Sequence, residues 1–206
     1  MGWLRLLWQQ DAGSIGQEGG EMRPVPVVSV VGRSNVGKTT FLEKLIAELK
    51  RRGYRVATVK HDVHGFEIDR PGKDTWRHAQ AGSDLVVIAS PDRVAMIART
   101  GAEMALDDIV ARLPLDVDIV VTEGYKRGDK PKIEVSRAAC GRELLSREEE
   151  LVALVTDEPF GEMQVPQYGL DDAAGVVDEL ERRLLPSHSH DPHTNTGAHG
   201  KQEEGL

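Results

Sequence analysis

Gly32-Arg33-Ser34-Asn35-Val36-Gly37-Lys38-Thr39 matches G-x-x-x-x-G-K-[ST] at every fixed position. Two glycines let a loop close around a phosphate with no Cβ in the way. Successive backbone N–H groups then form an anion nest, and the helix that follows adds its free N–H groups and positive dipole end. In this pattern Lys38 neutralises the β- and γ-phosphates, and the Thr39 hydroxyl is placed to coordinate Mg²⁺. The candidate nucleotide-binding set is Gly32, Arg33, Ser34, Asn35, Val36, Gly37, Lys38, Thr39 and Thr40.

The flanks supply the context that the motif needs. Residues 25–31 are a Val-rich run without alternation, as in a strand buried on both faces. Residues 39–52 carry Phe41, Leu42, Leu45, Ile46 and Leu49 at helical spacing, then Lys50, Arg51, Arg52 and a Gly53 C-cap. Further strands are expected at 54–60, 85–90, 94–98, 117–122 and 151–156, with 94–98 paired to 85–90 through a short hairpin turn. A short strand at 132–135 reads as an edge strand. Helices are expected at 103–113 and 170–185. Strands alternating with helices predict an α/β fold, a mostly parallel sheet flanked by helices on both faces.

Strand 117–122 runs into Glu123-Gly124. Ligand sites in parallel sheets lie at the carboxyl ends of strands, so Glu123 is a second candidate for Mg²⁺ and for catalysis beside Lys38. The polar segment 61–74, read as a loop between two parallel strands, holds Asp62, Asp69 and Asp74 as candidates to position water or metal; Lys73 could meet a phosphate. Asp62 is the metal candidate of this loop and Asp74 the catalytic one, although Asp74 also suits an N-cap of the next helix. His61 and His64 are too few for a closed metal site. No residue is an obvious built-in arginine finger; Arg33 is the only nearby candidate, and it reads equally as a solvent-facing loop position.

The chain has 206 residues, 39% of them hydrophobic, and a net charge of −8. That suits one globular domain and argues against a broad nucleic-acid-binding face. A single cysteine, Cys140, excludes an internal disulfide framework. With no apolar run of membrane-spanning length, the chain is read as cytoplasmic. Residues 1–22 read as a disordered leader, with Met22 as an alternative start, and 23–185 as the nucleotide-binding domain. Residues 186–206, with His188, His190, His193 and His199, read as a disordered polar tail.

Beyond the phosphate loop, Lys60-His61-Asp62, residues 69–75, Ala81-Gly82-Ser83, Glu123-Gly124-Tyr125-Lys126 and residues 130–134 together resemble the molybdopterin-guanine dinucleotide biosynthesis protein B (MobB) family over about residues 25–180. The resemblance implies a P-loop protein that binds GTP and hydrolyses it weakly. It also implies a homodimer that assists a MobA-like nucleotidyltransferase in attaching GMP to molybdenum-bound molybdopterin. The Glu-Gly pair after a strand is similar to dethiobiotin synthetase as well, which keeps an ATP-dependent kinase or ligase open. The guanine-reading Asn-Lys-x-Asp pattern is absent from the sequence, and Asp157 of Thr156-Asp157 is the nearest stand-in. Lys126, Arg127, Lys130 and Lys132 form a basic stretch that could dock a phosphorylated pterin, an acidic partner surface, or solvent alone.

Overall fold

The structure, a computed structural model, describes residues 24–63, 65–113 and 116–185. The leader, the tail and His64 therefore lie outside the described residues. Among those described, no helix is long and apolar enough to cross a membrane.

The chain order is β1 (Val27–Val31), α1 (Lys38–Arg51), β2 (Val56–Lys60), α2 (Asp74–Gln80), β3 (Leu85–Ala89), β4 (Val94–Ala98), α3 (Leu106–Val110), β5 (Ile119–Glu123), β6 (Lys132–Ser136), β7 (Leu151–Thr156), β8 (Gln167–Tyr168) and α4 (Ala173–Arg183). Six strands form one sheet in the order β2-β5-β1-β6-β7-β8, and every neighbouring pair is parallel. β1 is flanked by β5 on one side and β6 on the other. The chain leaves β1 through α1 toward β2, and only later reaches β6 on the far side. That reversal makes the carboxyl end of β1 a topological switch point, where a crevice opens.

One face of the sheet is covered by α1 and α4. Phe41, Leu42, Leu45 and Leu49 of α1 and Val176, Val177 and Leu180 of α4 pack on Val28, Val30, Ile119, Val121, Ile133, Val135, Ala153 and Val155. Leu45 and Leu49 are completely buried, each contributing about 1.5–3 kcal/mol by leaving water. At the far end Arg52 joins the two helices. Its guanidinium meets Glu48, Asp178 (2.6 Å) and Glu181 (2.7 Å) and donates to the carbonyl of Ala174. The Tyr54 hydroxyl donates to Glu181 at 3.0 Å; burial first, and then this bond, push the phenol up to about 12.

The strand expected at the edge is central. β6 lies between β1 and β7 with all five residues buried. Its shortness suggested an edge, but its two charged residues, Lys132 and Glu134, are satisfied inside. Lys132 pairs with Glu150 at 3.1 Å. Glu134 accepts from the backbone N–H groups of Leu145 (2.7 Å) and Ser146 (2.9 Å). The segment 141–150 thus closes the sheet face opposite α1 over β6. A smaller apolar cluster of Leu151, Leu154 and Val165, with Leu144, Phe160 and Met163 against it, continues that layer. β8 was not anticipated; two residues carry too little periodicity to read.

The β3–β4 hairpin forms as expected, but as a separate antiparallel ribbon outside the parallel sheet. Segment 61–74 therefore does not join two parallel strands: it leaves the edge strand β2 and enters α2. The N-cap of α2 is Lys73, and Asp74 is its first residue with no capping bond. The helix expected at 103–113 is shortened to Leu106–Val110.

Glu48 offers a test of the helix clasp. Hydrogen bonds from Arg51 and then Arg52 hold its carboxyl down to about 2, from 4.5. A depressed carboxyl stabilises the fold in its ionised form, fully above pH 4.5, and the contribution is lost as pH falls toward 2. Urea melts of the protein and of Glu48→Gln should differ most at neutral pH and converge as the pH drops through that window. A pH-independent offset would exclude the assignment.

Candidate functional site

The site grows from the turn between β1 and α1. Gly32 has φ 146°, and a Cβ there would lie 2.4 Å from the carbonyl oxygen of Val135 in β6. No other residue fits so close to the neighbouring strand, so this glycine fixes where the loop starts. Asn35 takes a left-handed φ of 60°, and Gly37 precedes the first turn of α1. The nitrogen of Lys38 spans the loop and donates to the carbonyl of Arg33 at 2.7 Å. Burial lowers the Lys38 pKa; Lys126 and Lys60 add to this, and Glu123 opposes them.

On the β5 side, sheet register sets Glu123 opposite Val30 of β1 and opposite Lys60 of β2. The Thr39 hydroxyl donates to Oε1 of Glu123 at 3.1 Å. Two residues 84 positions apart, both chosen from the sequence as Mg²⁺ ligands, are thereby brought together. Hard oxygen donors, few in number and beside a phosphate loop, suit Mg²⁺, which keeps several waters and takes phosphate oxygens as ligands. Among the described residues, no group of three or more His, Cys, Asp and Glu assembles as an all-protein cage.

Gly124 then makes a tight junction. Its φ is 103°, and a Cβ would sit 2.7 Å from the carbonyl oxygen of His61. The His61 N–H donates to the Glu123 carbonyl at 2.9 Å. The His61 ring stacks on Tyr125 with centroids 4.8 Å apart, and its Nε2 lies 2.8 Å from a carboxylate oxygen of Glu103. These residues border a cleft of about 740 Å³, also lined by Ser34, Asp62, Val63, Lys126 and Arg127. Asp62 therefore faces the same cleft as the phosphate loop. Asp74 does not share its surroundings: its side chain is 91% exposed and its ion-pair neighbour is Arg77, 4.0 Å away.

On the β6 side, two arginines flank the loop. Arg33 turns away to Glu143, donating to its carboxylate at 2.6 Å and to its carbonyl at 3.3 Å. Arg137, which the sequence reading passed over, lies against the loop. Its Nε donates to the Val36 carbonyl at 2.9 Å, and its guanidinium packs over Gly37. The signal was its place one residue past the carboxyl end of β6. Asp157 follows β7, and its Oδ1 accepts from the Ala138 N–H at 2.9 Å. It ties the ends of β6 and β7 together beside Arg137. Glu103 was also missed, because its contact with His61 spans 42 residues and leaves no local pattern.

Gly124→Ala is expected to strain the junction by about 1–3 kcal/mol, read as a drop in thermal midpoint of several degrees. An unchanged midpoint would show that the His61 backbone moves aside freely.

With this geometry in place, the comparisons with known proteins converge. Residues 27–157 match the family described as "Molybdopterin guanine dinucleotide synthesis protein B". The "Molybdopterin-guanine dinucleotide biosynthesis adapter protein" of Haemophilus influenzae is 37% identical over 137 residues, 66% of this chain and 77% of the relative. The protein of the same name from Escherichia coli is 31% identical over 159 residues, 75% of this chain and 90% of the relative. The crystal structure of Bacillus subtilis MobB superposes with a TM-score of 0.60 at 26% identity, covering 79% of this chain and 99% of that one. The chain belongs to the molybdopterin-guanine dinucleotide biosynthesis protein B (MobB) family.

Proposed function

We propose that this chain is a GTP-binding adapter for molybdenum cofactor maturation, a slow Mg²⁺-dependent GTPase that works beside a MobA-like nucleotidyltransferase as Mo-molybdopterin is converted to its guanine dinucleotide form. The observation that carries this reading is the Thr39–Glu123 contact at the mouth of a phosphate loop crossed by Lys38. Thr39 and Glu123 would hold Mg²⁺, which supplies charge neutralisation between phosphate oxygens. Lys38 would exchange the Arg33 carbonyl for a phosphate oxygen. Hydrolysis is slow in this reading because Arg33 is engaged by Glu143 and Arg137 by the Val36 carbonyl, so neither is aimed at the γ-phosphate. The base end of the nucleotide extends toward β6 and β7, opposite the Glu123 side, where Asp157 is the candidate guanine acceptor.

Calorimetric titration with GTP and with ATP, each with Mg²⁺, tests this directly. GTP should bind in preference to ATP, and Lys38→Ala should weaken it by about 2–3 kcal/mol, roughly 30- to 150-fold. Asp157→Ala should reduce the GTP-over-ATP preference. Preference for ATP would instead favour a kinase or ligase of the dethiobiotin synthetase type.

The homodimer is proposed on the β3–β4 ribbon. Leu85, Val87, Val94 and Met96 share one face by register, and all four are exposed. A lone two-stranded ribbon is marginal in water, and an uncovered apolar face marks an interface. A second copy offers the same face, so the two cover each other about a two-fold axis. Sedimentation should find a dimer that Val87→Lys converts to monomer. A monomeric parent protein would end the idea.

A further inference from the structure

The cations that read as one basic stretch divide into two pairs with different partners. Lys130 is held by Asp107 at 2.7 Å and Lys132 by Glu150 at 3.1 Å. Lys126 and Arg127 have no ion-pair partner among the described residues, and these two line the cleft beside the phosphate loop. Both side chains are exposed on that wall, and the charge of Lys126 adds to the larger effect of burial in lowering the Lys38 pKa.

The same cleft has an aromatic wall. Tyr125 stacks on His61, whose Nε2 lies 2.8 Å from Glu103. Tyr125 also lines a second cavity of about 390 Å³ bordered by Met104, Leu106 and Lys130, and Glu103 and Gly128 border both. A cleft of some 740 Å³ is the size of a small-molecule site. Ser34 of the phosphate loop lines it, as does Gly124, the residue after Glu123, whose carboxylate accepts from the Thr39 hydroxyl.

From this arrangement we infer that the cleft is a second ligand site, for a planar heteroaromatic compound carrying a phosphate, held next to the terminal phosphate of the nucleotide. The ring lies against Tyr125, and the phosphate is met by Arg127 and Lys126. Asp62 and Glu103 on the same walls offer acceptors for ring N–H donors, as a pterin presents. This assignment rests on the reading of the loop as the nucleotide site. It makes the adapter a direct holder of the anionic pterin-type substrate, with both reactants on one chain.

The test uses the full chain and hydroxymethylpterin phosphate as a fluorescent probe, with inorganic phosphate and unphosphorylated hydroxymethylpterin as competitors. The probe should be quenched saturably, with or without GTP, and neither competitor should displace it at equal concentration. Arg127→Gln should weaken the probe about tenfold and Tyr125→Leu should abolish the quench, while GTP affinity changes by less than about threefold. Displacement by inorganic phosphate would reduce the cleft to a simple anion site and overturn the inference. So would probe binding that neither substitution alters. Failure of the pterin phosphate with GTP still bound sinks this inference alone; failure of GTP with the probe still bound sinks the nucleotide reading, and with it the placement of the ligand beside a terminal phosphate.

Discussion

β1 is hydrogen-bonded on both edges, to β5 and to β6, and the geometry of the whole site follows from that double pairing. Parallel pairing brings three carboxyl ends to one rim, so the loop after β1 has Glu123 on one side and Arg137 on the other. The register is strict because side chains alternate between faces; a slip of one residue in β5 would turn Glu123 away from Thr39. Gly32 extends the constraint into the loop, since the Val135 carbonyl occupies the space where any Cβ would lie. The phosphate loop is therefore a consequence of strand packing as much as of its own glycines.

Charge is handled differently at the two ends of the sheet. Inside, Lys132 and Glu134 are nearly inaccessible, and each has partners that replace water. An unpaired charge at either place would cost several kcal/mol, so segment 141–150 is bound to the sheet by necessity. At the rim, burial lowers the Lys38 pKa, the charges of Lys126 and Lys60 add to this, and Glu123 opposes them. Such an imbalance is tolerated where an anionic ligand completes the site.

Apolar surface is divided just as sharply. α1 and α4 bury their apolar stripes on the sheet and are clasped through Arg52. Between β2 and α3 the chain instead exposes Val63, Phe66 and Ile68 on a loop and Leu85, Val87, Val94 and Met96 on the ribbon. The loop begins at the cleft, since Val63 lines it.

The sequence by itself determined the parts whose chemistry is local. The phosphate loop, the helix after it, the buried strands β1 and β7 and the hairpin are legible because glycine spacing, helical periodicity and uninterrupted Val-rich runs are properties of neighbouring residues. Glu123 was legible too, since a strand-terminal acid in a parallel sheet has a known place. Tertiary structure decided what depends on distant partners. It put β6 in the centre, where Glu150 and the backbone of residues 145 and 146 satisfy the charges of Lys132 and Glu134. It moved the β3–β4 ribbon out of the sheet, engaged Arg33 with Glu143, laid Arg137 on the loop, and joined His61, Glu103 and Tyr125 into one wall. The side-chain contacts among these outcomes span from 11 residues, Glu134 to Leu145, up to 110, Arg33 to Glu143, and a one-dimensional pattern carries no record of such a distance.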